Sequence, residues 1–145
     1  MKELAIFGST GSIGCSTLNV VRRERLRFGV SILTAGRNLE RLIGQIREFS
    51  PRHVYIIEEK DARTLHELFP QLDIYWGEDG MDQVSHLTDF DIGVSALVGV
   101  AGLRPTWNMI RNGKTVALAN KEVLVTGGRL VMEAAKDCSA TLLTV

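Results

Sequence analysis

Seven short apolar runs rich in β-branched residues alternate along this chain with segments of helical periodicity, and nothing else in the sequence restricts the possible folds so strongly. The runs are ELAIF at 3–7, VSILTA at 30–35, HVYII at 53–57, DIYWG at 73–77, DIGVSAL at 91–97, TVALA at 115–119 and ATLLTV at 140–145. Strands separated by a helix cannot close as tight hairpins. Each pair needs a crossover, the crossover is right-handed, and a mostly parallel sheet with helices on both faces follows. The expected class is therefore α/β, doubly wound. With 145 residues, the chain is long enough to bury a core without disulfides or a structural metal. It contains no repeat, low-complexity segment or dividing linker, so residues 1–145 are expected to form one domain.

The helices between the runs have their own signals. The first is expected from Ser12, with Ile13, Thr17, Val20 and Val21 on its apolar face. Asn38 is placed to cap a helix carrying Leu39, Leu42, Ile43, Ile46 and Phe49. Ser50-Pro51 should close that helix, because the residue before a proline is pushed out of the helical region. Further helices are expected over 62–69, 79–87 and 130–136. Residues 98–102 read as a flexible turn before a helix with Leu103, Trp107 and Ile110, with Pro105 in its first turn and Gly113 as its stop.

Composition removes several classes of function. Lysine plus arginine equal aspartate plus glutamate at 17 each, so no basic face is implied and nucleic acid is not an expected partner. The two cysteines, Cys15 and Cys138, lack the spacing of a zinc site and read as reduced thiols of a cytoplasmic protein. The N-terminus lacks the apolar core of a signal peptide, and no run approaches the ~20 apolar residues of a membrane span, so a soluble protein with no membrane partner is expected.

Chemistry enters at the first turn. Gly8, Gly11 and Gly14 form a GxxGxxG loop between the first strand and the first helix, one residue longer than the common GxGxxG. Such a loop needs one glycine for the turn, one for close approach of a pyrophosphate and one for packing of helix on strand. The helix N-terminus then offers unpaired N–H groups to phosphate. Thr10 and Ser12 add hydroxyls at the tip, while Cys15 reads as a packing residue. Dinucleotide binding on a Rossmann-like domain is the expectation. After the second strand, where NAD enzymes keep a carboxylate for the ribose, the chain has Gly36-Arg37-Asn38, and no acid occurs before Glu40. Arg37 suits a 2′-phosphate, which favours NADP, and it is expected to be the cation that serves there.

The segment at 97–128, LVGVAGLRPTWNMIRNGKTVALANKEVLVTGG, makes the reading specific. Together with GSTGSIG at Gly8 to Gly14, the GxN turn at Gly36 to Asn38, GLRPT at Gly102 to Thr106 and ALANKE at Ala117 to Glu122, it resembles the 1-deoxy-D-xylulose 5-phosphate reductoisomerase family over the whole chain. The resemblance implies the NADPH-binding domain of an enzyme that rearranges 1-deoxy-D-xylulose 5-phosphate with Mg²⁺ or Mn²⁺. That enzyme reduces the product to 2-C-methyl-D-erythritol 4-phosphate, a step of non-mevalonate isoprenoid synthesis. It further implies that Thr10, Gly11, Ser12 and Ile13 contact NADPH, that Gly36, Arg37 and Asn38 surround its adenosine phosphate, and that Asn120 and Glu122 lie near the nicotinamide. Lys121 would reach the oxygens of the phosphorylated sugar. Many members carry lysine at the position of Arg37.

By the same resemblance, the acidic metal motif should begin just after Val145, and the catalytic and C-terminal helical domains should lie outside these residues. The full-length enzyme would be a homodimer, and the fragment alone inactive. Thr144 departs from the family, which usually has proline there. From the residues themselves two other readings stay open: the cofactor domain of another NADP-dependent dehydrogenase, and a non-catalytic nucleotide-sensing module, since fold alone does not set function.

Overall fold

The computed structural model describes residues 1–119 and 121–144, with the side chains at 121–124 and 126 outside that description. Its strands are β1 (Lys2–Phe7), β2 (Phe28–Thr34), β3 (His53–Ile56), β4 (Asp73–Trp76), β5 (Ile92–Ser95), β6 (Thr115–Leu118) and β7 (Thr141–Thr144). The helices are α1 (Ser12–Arg23), α2 (Leu39–Phe49), α3 (Glu59–Leu68), α4 (Gly77–Ser85), α5 (Leu103–Arg111) and α6 (Lys121–Asp137). The strands form one sheet in the order β4-β3-β2-β1-β5-β6-β7, and every pairing is parallel.

Side-chain alternation along the strands divides the core between the two faces of this sheet. Leu4, Ile6, Leu33, Val54 and Ile56 pack under α1, α2 and α3, against Leu18, Val21, Leu42, Ile46 and Leu65. Ala5, Phe7, Ile32, Tyr55, Val116 and Leu118 face the other way, against Val84, Met109, Ile110, Val131 and Ala134 of α4, α5 and α6. Right-handed crossovers explain the division. Strands β1 to β4 step steadily one way, which keeps α1 to α3 on one face. The return from β4 to β5 reverses direction and puts α4 to α6 on the other.

Asn38 caps α2 as expected, accepting from the backbone N–H of Arg41 at 3.1 Å. Ser50 closes α2 as expected, leaving the right-handed helical region for the left-handed one at φ 48°. Three expectations need correction. The inward face of α1 is Gly14, Leu18 and Val21, whereas Ile13 and Val20 are 40% and 51% exposed. Gly14 decides this rotation, because it must lie flat against the preceding loop. Residues 99–102, expected as a turn, form a short 3-10 helix. Helix α6 begins at Lys121 and kinks at Gly127, so the helix expected from residue 130 is only its second half. Smaller shifts lengthen α3 at its start and trim the strands at 57, 77 and 119.

An exposed ion-pair cluster ties α1 to α2. Arg22 donates from Nη2 to Glu48 Oε1 at 2.7 Å, and Arg25 Nη2 lies 3.2 Å from Glu48 Oε2. The bond from Arg22 holds the Glu48 carboxyl below its ordinary range. A carboxyl depressed in the folded state contributes stability above its unfolded pKa and loses it as pH falls through the folded value. The urea midpoint of Glu48→Gln should therefore lie below that of the parent near neutral pH, and the gap should close in acid. A gap independent of pH would show that the pair does not act through this charge.

Candidate functional site

The strand order reverses at β1, whose neighbours are β2 on one side and β5 on the other. Ligands of open α/β sheets bind outside the carboxyl ends of the strands at such a switch point. Two segments meet there: the glycine loop after β1, and residues 96–102 after β5.

The glycine loop is anchored to β2. Gly8 N–H donates to Thr34 Oγ1 at 2.9 Å, and Ser9 N–H donates to the Thr34 carbonyl at 2.8 Å. Gly8 has φ +96°, and a Cβ there would stand 2.8 Å from the Ala96 carbonyl oxygen. A Cβ on Gly14 would lie 2.2 Å from the Gly8 carbonyl oxygen. The fold itself thus requires two of the three glycines. Gly11 differs: a Cβ there meets only the Gly8 carbonyl oxygen at 3.8 Å, an ordinary contact. Among the described residues nothing demands glycine at residue 11, whereas a ligand lying against the backbone would.

Gly11 is the N-cap of α1 and supplies no side-chain cap, and the first turn holds no acidic residue. Cys15 N–H is the first to return into the helix, to the Gly11 carbonyl at 2.9 Å. The N–H groups of Ser12, Ile13 and Gly14 have no acceptor among the described residues, at the positive end of the helix dipole. Thr10 is half-buried, Ser12 and Ile13 are exposed, and an anion could reach all three. The Cys15 thiol packs 3.7 Å from the carbonyl oxygens of Ser9 and Thr10.

The Gly36–Asn38 turn follows β2 on the same edge. A Cβ on Gly36 would make only an ordinary contact, with Ile57 Cδ1 at 3.8 Å. The Arg37 side chain is 75% exposed, with Nε 3.5 Å from Glu58 Oε1. A second arginine stands beside this turn. Arg41, one turn into α2, donates from Nη1 to the Thr10 carbonyl at 3.0 Å and so crosses from the helix after the Gly36–Asn38 turn to the glycine loop. Behind it Gln45 is buried and exchanges two hydrogen bonds with Ser9: Ser9 Oγ donates to Oε1 at 2.8 Å, and Nε2 donates to the Ser9 carbonyl at 2.9 Å.

Sequence reasoning missed Arg41 and Gln45, though a signal existed. Asn38, Arg41 and Gln45 are spaced by three and four, so they share one stripe of α2. Gln45 also interrupts the otherwise apolar inward face of Leu42, Ile46 and Phe49.

On the far side of the switch point, β6 ends at Leu118, and Ala119 N–H donates to the Ser95 carbonyl at 3.1 Å. This brings the start of α6 to the carboxyl edge of the sheet. Asn120 lies outside the described residues, as do the side chains of Lys121 and Glu122, which open α6. Among the described residues no three metal-ligating side chains come together, and no helix is long and apolar enough to cross a membrane. A cleft of about 660 Å³ lined by Arg47, Arg52, His53 and Asp73 opens at the amino ends of β3 and β4, on the opposite edge from these segments.

Residues 4–128 match the family described as 1-deoxy-D-xylulose 5-phosphate reductoisomerase. The reductoisomerase of Nitrosospira multiformis is 40% identical over 149 residues, an alignment covering 100% of this chain and 38% of that protein. Among solved structures, a DOX-P reductoisomerase in complex with NADPH, fosmidomycin and magnesium superposes with a TM-score of 0.93 at 33% identity, covering 99% of this chain and 36% of the other. The Zymomonas mobilis reductoisomerase in complex with NADPH gives a TM-score of 0.91 at 35% identity, covering 99% of this chain and 38% of the other. The chain thus spans 38% of the length of the curated relatives it matches.

Proposed function

Because the chain belongs to the 1-deoxy-D-xylulose 5-phosphate reductoisomerase family, we propose that it is the NADPH-binding part of such an enzyme. The whole protein would convert 1-deoxy-D-xylulose 5-phosphate to 2-C-methyl-D-erythritol 4-phosphate in the cytoplasm, as a homodimer. Family membership sets aside the reading as a cofactor domain of another dehydrogenase. The observation that carries the proposal is Gly11, where an added Cβ would make only an ordinary 3.8 Å contact, so that the described fold does not call for glycine there.

The residues fit the cofactor. Thr10, Gly11, Ser12 and Ile13 would hold the pyrophosphate, which the three N–H groups at the start of α1 can bind without a cationic side chain. Gly36, Arg37 and Asn38 would surround the 2′-phosphate. Arg37 must then exchange Glu58 for the phosphate, so part of the attraction is offset by the lost ion pair. Asn120 and Glu122 would border the nicotinamide, and Lys121 would hold the oxygens of the phosphorylated sugar. When bound, NADPH supplies the hydride for the reduction; these residues orient it at the sheet's carboxyl edge. The Mg²⁺ or Mn²⁺ of the complete enzyme has no ligand set among the described residues, and we assign it none.

Calorimetric titration with NADPH, NADH and ATP tests this reading, with preference for NADPH as the expected result. Equal affinity for ATP would favour the nucleotide-sensing alternative. Arg37→Ala should weaken NADPH more than NADH, by about 1.5–3 kcal/mol if the contact is a charged hydrogen bond. Equal losses for both cofactors would remove Arg37 from the 2′-phosphate site.

A further inference from the structure

We propose that Arg41 is a second determinant of NADPH selectivity: its guanidinium, held over the glycine loop from the first turn of α2, completes the 2′-phosphate pocket with Arg37. The inference rests on the NADPH reading above and adds a residue to it.

Three observations carry it. First, Arg41 joins the two halves of the site. Its backbone N–H donates to Asn38 Oδ1 in the turn after β2, and its Nη1 reaches the Thr10 carbonyl in the glycine loop, 31 residues away. The guanidinium therefore lies between the place of the pyrophosphate and the turn that would hold the adenosine ribose. Second, the two arginines are differently engaged. Arg37 leans outward on Glu58, while Arg41 has no ion pair among the described residues. A guanidinium carries five N–H donors, so the bond to Thr10 and the 3.7 Å approach to the Cys15 thiol leave donors for a phosphate. Third, its position is set from below. The buried Ser9–Gln45 exchange fastens α2 to the loop one turn further on, so Arg41 stands on a fixed base although it is itself exposed.

A dianionic 2′-phosphate is the one group that NADPH has and NADH lacks. A preorganised cation without a competing carboxylate favours it through charged, fork-shaped hydrogen bonds. Arg41→Met keeps the aliphatic stem and removes the charge and the donors, and Arg41→Lys keeps the charge without the fork. Titrating each 145-residue variant with NADPH, NADH and 2′,5′-ADP separates phosphate recognition from bracing of the loop. Arg41→Met should weaken NADPH and 2′,5′-ADP by about tenfold or more while NADH changes little, and Arg41→Lys should regain part of the loss. Equal weakening of NADPH and NADH would reduce Arg41 to a brace and overturn the proposal, as would unchanged NADPH affinity. If Arg41→Met does not fold, the NADPH-to-NADH ratio of Arg41→Lys decides: a lowered ratio supports the role, and a parental ratio removes it. A parent chain that binds neither cofactor would overturn the NADPH reading itself.

Discussion

Gly11→Val is expected to leave the domain folded while lowering affinity for NADPH and NADH alike by about 100-fold or more, roughly 2.7 kcal/mol. The described fold has no need of glycine there, since the nearest atom to an added Cβ is 3.8 Å away, an ordinary contact. It would also stand where the pyrophosphate must approach the backbone. Gly14→Ala supplies the contrast. Its methyl would fall 2.2 Å from the Gly8 carbonyl oxygen, against backbone that cannot move aside, so this variant should lose stability by about 1–3 kcal/mol or more. Circular dichroism and thermal melts report the fold, and calorimetry reports binding. Unchanged affinity in Gly11→Val would show that the loop is only a turn.

The second large effect is the loss of turnover. A polypeptide of these 145 residues should bind NADPH yet show no detectable oxidation of it when given 1-deoxy-D-xylulose 5-phosphate and Mn²⁺. Reduction needs a bound and oriented acceptor, and orientation supplies a large part of the barrier reduction in such reactions. The chain spans 38% of its curated relatives, and its described residues bring no metal-ligating set together. Removal of a single stabilising group often costs factors of ~10² to 10³, and several are removed at once. Loss of NADPH absorbance at high protein concentration, beside a complete family enzyme, is the measurement. Turnover above a protein-free control would place catalytic groups within residues 1–145 and move the proposed active site.

Most of the fold was legible because its signals are local. Each apolar run formed a strand within a few residues of its expected limits, and the helix from Asn38 to Phe49 matched its capping and periodicity. Misreadings fell where a contact from elsewhere overrode the local pattern. In α1, Ile13 and Val20 are apolar enough to suggest an inward face, but close packing of Gly14 on the loop turns Leu18 inward instead. In α6, the helix expected only from residue 130 begins at Lys121 and passes a kink at Gly127.

The candidate site divides in the same way. The glycine loop and the Gly36–Asn38 turn are contiguous in sequence, so their chemistry could be read from residue type and spacing. The bonds that Arg41 and Gln45 make join residues 31 and 36 positions apart. They exist because a right-handed crossover lays α2 beside α1 on one face of the sheet. The sequence by itself determined which segments become strands and helices and which loop carries the glycines on which the phosphate proposal rests, because periodicity and backbone freedom are properties of neighbouring residues. Only the tertiary structure decided that the strand order reverses at β1, that the described fold does not call for glycine at residue 11, and that α2 sends an arginine across to Thr10, because these depend on which surfaces distant segments bury together.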